Sequence, residues 1–70
     1  MEIGTPVMIL VDKHTTERLK KIFIPKGTIG TVCEIHDGWA LVEIWGENAP
    51  ECVEGVFGFN FSEIKEIVED

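Results

Sequence analysis

Cys33, His36 and Cys52 carry the strongest ligating and nucleophilic side chains in this 70-residue chain, and the run Cys33-Glu34-Ile35-His36 has a spacing that superficially suits zinc. Zinc needs several such ligands converging on one point, whereas residues three apart on an extended strand point to opposite faces. No fourth Cys or His stands nearby, because His14 falls in a different loop. Either thiol would become a nucleophile only beside a His held by an orienting carboxylate, and nothing in the spacing supplies that arrangement. The carboxylates are scattered over different strands and loops, which describes a solvated acidic surface and not a paired acid and base. The expectation is therefore no metal, no cofactor and no catalytic residue, with Cys33 a small buried apolar side chain and His36 an exposed turn residue. Two cysteines without a denser framework are expected to stay free thiols.

Binding chemistry is better represented. Lys13, Arg18, Lys20, Lys21 and Lys26 crowd into one stretch with Glu17 as its one acid, an excess of four positive charges. From Gly27 onward ten carboxylates face Lys65 alone, and the whole chain carries a net charge of −7. A basic segment on an acidic body favours an acidic protein partner over a polyanion, since nucleic acid would be repelled by the remainder and the segment has no interleaved aromatics. Among the aromatics Phe23, Trp39, Trp45, Phe57, Phe59 and Phe61, most must fill the core of so small a protein. Trp39 and Trp45 have the parity opposite to Ala40, Val42 and Ile44, so at least one is expected on the outer face as an apolar anchor. The candidate contact residues are thus Lys13, Arg18, Lys20, Lys21, Trp39 and Trp45, with an unknown protein as the expected partner. Nucleic-acid binding through the basic loop is the alternative, and self-association by edge strands, giving a homo-oligomer, is the third reading.

These residues need a scaffold, and the stretch Pro25-Lys26-Gly27-Thr28-Ile29-Gly30-Thr31-Val32 organises it. Pro25 has no N–H for a ladder, and Gly27 and Gly30 suit positive φ or close backbone approach. The apolar run from Pro6 to Val11 reads as a first strand, and Asp12 to Phe23 as a long charged loop or short helical turn pinned by Leu19, Ile22, Phe23 and Ile24. A second strand from Ile29 to Ile35 has β-branched residues on both parities, as a strand bent around a barrel would. His36-Asp37-Gly38 reads as a tight hairpin turn and Trp39 to Trp45 as a third strand with Ala40, Val42 and Ile44 inward. An acidic loop over 46–51, a fourth strand from Val53 to Phe59, one helical turn at Asn60 to Glu63 anchored by Phe61, and a closing strand from Ile64 to Val68 complete the chain. The expected fold is all-β, a single domain over residues 1–70, built as a small five-stranded SH3-like barrel with a long first loop and one short helical turn before the last strand.

The segments Ile24 to Val32, Ala40 to Ile44 and Phe61 to Ile67 resemble the small stand-alone bacterial SH3-like proteins of an uncharacterised domain family. More distantly, Gly27 to Ile35 is similar to KOW-type barrels, and the C-terminal end to the photosystem I reaction-centre subunit IV barrel. The first resemblance spans roughly residues 5 to 68 and implies a fold without a catalytic residue. The acidic Glu34, Asp37 and Glu43 depart from the KOW pattern. A barrel of this length fills its interior with side chains and leaves little room for a substrate, so an enzyme is not expected. The start of the chain lacks a signal-peptide pattern and no run approaches a membrane span, from which a cytoplasmic location is expected.

Overall fold

A computed structural model describes residues 1–17, 19–46 and 53–68. It is all-β. The strands are β1 (Pro6–Ile9), β2 (Lys13–Glu17), β3 (Lys20–Ile24), β4 (Ile29–His36), β5 (Trp39–Ile44), β6 (Gly55–Asn60) and β7 (Ile64–Glu66), with a 3-10 turn at Phe61–Glu63. Five strands form one antiparallel sheet in the order β6-β5-β4-β1-β7, and β2 and β3 pair only with each other. The described strands therefore number seven in two sheets. The five-stranded sheet ends at β6 and β7 without a described pairing between them, so hydrogen bonding alone does not close the expected barrel.

The inward residues alternate as a half-buried sheet requires. Val7 and Ile9 from β1, Val32 from β4, Ala40, Val42 and Ile44 from β5, Phe57 and Phe59 from β6 and Ile64 from β7 are all buried, joined by Ile24 and Val53. Burying each of the larger side chains contributes roughly 1.5–3 kcal/mol, and this one cluster holds the sheet together. β4 serves both β1 and β5 by bending. Its register against β5 shifts between Val32 and Glu34, so Cys33 is the extra residue of a bulge that coils the strand.

The turn before β4 is tied down at several points. Gly27 has φ +95° and its N–H donates to Ile9 O at 2.8 Å, while Thr28, buried, donates its hydroxyl to Pro25 O at 2.7 Å. Asp12 accepts from Lys26 N–H at 2.8 Å. Gly30 serves a different need: a Cβ there would run into the Val42 side chain and come within 2.8 Å of Glu43 O. Close approach of β4 to β5 requires a glycine at that position.

Several sequence expectations are corrected. The stretch Asp12 to Phe23 is neither loop nor helix but the body of the β2–β3 hairpin, paired from Lys13↔Ile24 to Glu17↔Lys20. Its Thr15-Thr16 and Ile22-Phe23-Ile24 are good strand formers, and the reversal passes through Leu19 in the left-handed region at φ +68°. Leu19 and Phe23 do not pin this segment to the core, since Leu19 is 99% exposed and Phe23 is exposed; Ile24 is buried and Ile22 packs against the core. Phe61 is no core anchor either, being 40% exposed while Ile64 fills the interior. The β4–β5 reversal uses positive φ only at Gly38, not at Asp37. Among the described residues no helix is long and apolar enough to cross a membrane.

Candidate functional site

The β4–β5 hairpin brings His36 and Trp39 opposite each other on the outer face. Their rings stack with centroids 4.1 Å apart and planes 14° from parallel, an arrangement worth roughly 0.5–1.5 kcal/mol beyond area burial. His36 Nε2 also lies 2.7 Å from Glu34 Oε1, a second contact made at the edge of the imidazole. Beneath the indole lies Gly58 of β6, whose missing Cβ would sit 3.6 Å from the Trp39 ring, so the glycine gives the aromatic a flat floor. Trp39 remains 38% exposed despite these contacts. Phe61 N–H donates to Gly38 O at 3.3 Å, which sets the 3-10 turn and its exposed phenyl beside the same hairpin end.

Gly58 also joins this platform to the hairpin. Its carbonyl accepts from Lys13 Nζ at 2.7 Å, and the same ammonium lies 3.5 Å from Glu63 Oε1 and 4.6 Å from the centre of the Phe59 ring. Glu63 Oε1 in turn accepts from Asn60 N–H at 2.7 Å, the reciprocal cap of the 3-10 turn. Lys13 is thus already engaged within the molecule and clamps the base of β2 to β6. Lys13→Met should lower stability by about 2 kcal/mol, since it removes a charge-assisted hydrogen bond and a cation–π contact together. Denaturant unfolding checks this against Lys20→Met and Lys21→Met, which should stay within about 0.5 kcal/mol of the parent as ordinary surface changes.

The remaining candidates are distributed. Lys20 and Lys21 are exposed neighbours on β3 and, being consecutive, project from opposite faces of the hairpin. Arg18 lies outside the described residues. Trp45 is 52% exposed just beyond β5, on the parity of Trp39. A strand advances about 3.3 Å per residue, so the two indoles are anchored about 20 Å apart and do not form one aromatic platform. Sequence reasoning missed His14 and Phe23, which face each other across the hairpin with ring centroids 4.8 Å apart. They line a groove of about 350 Å³ with Thr15, Thr16, Lys21 and Ile22. Only a hairpin pairing for this stretch would have revealed them.

Cys33 sits half-buried in the bulge with its Sγ donating to Leu41 O at 3.5 Å. Burial, followed by the negative charges of Glu43 and Glu34, pushes its thiol pKa up. A raised pKa keeps it as the thiol, a poor nucleophile and a poor metal ligand at neutral pH. It is half-exposed, not the fully buried side chain expected, and His36 belongs to β4 and is partly covered. Cys52 lies outside the described residues. Among the described residues no three His, Cys, Asp or Glu side chains are grouped to hold a metal ion. No protein-family model, curated protein or solved structure matches the chain.

Proposed function

We propose that the chain is a small SH3-like barrel with no chemistry of its own, working as an interaction module that holds a protein partner. In this reading the five-stranded sheet, coiled at the Cys33 bulge and linked from β6 to β7 by the 3-10 turn, is the barrel. The β2–β3 hairpin takes the place of the long first connection. Trp39 carries the functional half of the reading. Its indole stacks on His36 and lies over Gly58, contacts that restrict it, yet keeps more than a third of its surface open. A restricted, partly open aromatic binds at little entropic cost, which is why tryptophans dominate binding energy at protein contacts. The exposed Lys20 and Lys21 would add orientation and association rate for an acidic partner.

The test is capture of partners by the immobilised chain from its native host, then purification of the captured protein and measurement of its affinity. Trp39→Ala should weaken binding at least tenfold while melting cooperatively at a temperature lowered by the loss of its stack on His36, and Trp45→Ala, anchored about 20 Å away, should have a smaller effect on binding. Full affinity in Trp39→Ala would remove the platform from the site. Competition by an oligonucleotide, with steep loss of binding as salt rises, would favour the nucleic-acid alternative.

A further inference from the structure

The β2–β3 hairpin carries a feature that the Trp39 platform does not use. β2 and β3 pair with each other and with no other described strand, so each has one long edge of backbone N–H and C=O groups without a ladder partner. Such an edge is a template for a further strand. The two edges differ in charge. β2 carries Glu17 opposite Lys20, whereas β3 runs Lys20-Lys21-Ile22-Phe23 with no acid. We infer that the free edge of β3 accepts an extended acidic segment of a partner protein as a third strand, in which two apolar residues are followed by two carboxylates.

The pattern follows from register. A strand added antiparallel to β3 passes Phe23, Ile22, Lys21 and Lys20 in that order. Phe23 and Lys21 share one face of the hairpin and Ile22 and Lys20 the other. Two apolar residues beside Phe23 and Ile22 would cover the exposed phenyl and the half-exposed isoleucine, and two carboxylates next in line would meet one lysine on each face. The groove of about 350 Å³ beside His14, Lys21 and Phe23 offers space for the incoming side chains. The same lysines refuse other strands. An antiparallel second β3 would set its own lysines beside Phe23 and Ile22, and like any basic or neutral segment it would leave the ammonium groups without a counter-charge.

This inference rests on the reading of the chain as an interaction module and names the partner's chemistry. The experiment titrates the isotope-labelled full chain with an acetylated, amidated peptide Ser-Val-Ile-Glu-Glu-Ser and follows backbone amide resonances. Saturable shifts at residues 20–23 are expected, at least tenfold weaker binding in the Lys20→Glu, Lys21→Glu double variant, and loss of binding when the peptide backbone is N-methylated at alternate residues. Both lysines are exposed, and an unchanged melting transition confirms that the double variant folds. Equal binding by the N-methylated peptide or by a Val-Ile-Lys-Lys counterpart overturns the inference, as does the absence of shifts at millimolar peptide. Shifts confined to Trp39 and His36 overturn it while leaving the module reading in place. The chain's own Ile67-Val68-Glu69-Asp70 has the inferred pattern. A concentration-dependent dimer abolished by Glu69→Lys with Asp70→Lys would therefore replace the partner segment with a second copy.

Discussion

Gly30→Val should lower stability by about 3 kcal/mol, the upper part of the usual range for overpacking. The incoming Cβ meets the Val42 side chain and comes within 2.8 Å of the Glu43 carbonyl oxygen, and the latter, being backbone, cannot turn aside. Relief would require β4 and β5 to separate at the pairs that carry Val32 and Val42 into the core. In a domain of this size the loss corresponds to a fall of roughly 12–24 °C in the melting temperature. Gly27→Val is the contrasting case. Gly27 has open space around it but φ +95°, so the cost there is backbone strain of about 1–2 kcal/mol. Denaturant unfolding of both variants separates crowding from strain. Equal midpoints for Gly30→Val and the parent would show that β4 and β5 do not approach as described.

Phe59→Ala should have the larger effect, about 3–5 kcal/mol. Phe59 is the largest of the fully buried side chains, and it lies in β6 opposite Ala40, where the small partner leaves its ring the space it fills. Its removal opens a cavity that the surrounding Val and Ile side chains fill only in part, and it also strips the Lys13 ammonium of the ring it rests on. For a chain of 70 residues that loss approaches the whole stability of a small domain. The variant is expected to be largely unfolded at 37 °C by far-UV circular dichroism. A cooperative transition within a few degrees of the parent would place Phe59 outside the core.

The sheet was legible in the sequence because its strands alternate clearly. Ala40, Val42 and Ile44 declared one face and Trp39 the other, and the mixed parity of Ile29 to Ile35 announced a bent strand that the Cys33 bulge realises. The hairpin was not legible. Its strands are laced with lysines, and its reversal passes through Leu19 with no Asn-Gly or Asp-Gly pair to mark it. The charges suggested a solvated excursion, while the β-branched and aromatic residues between them were already enough to make a two-stranded ladder. Missing the hairpin hid what depends on it, namely the His14–Phe23 pair and the clamp of Lys13 on Gly58. Lys13 looked like a free surface charge because its partners lie 45 and 50 residues away. Phe61 was misread since a phenyl before a closing strand suits the core equally well, and Ile64 took that place.

The pairing of β1 with β7 orders the folding of the chain. β4, β5 and β6 succeed one another as an antiparallel meander, and the β4–β5 step closes across only Asp37 and Gly38. Val7 meets Glu66 only after the segment between them has been drawn into a single loop. The entropy of that closure is lost before its contacts are gained, so the β1–β7 ladder belongs late on the pathway and the meander early. The β2–β3 hairpin, pairing over short range inside the loop that β1 and β4 close, contributes little to that barrier. Apart from Lys13, Ile22 and Ile24, which are tied to β6 and the core, its residues can therefore change with the binding surface while the rate at which the sheet assembles is set elsewhere.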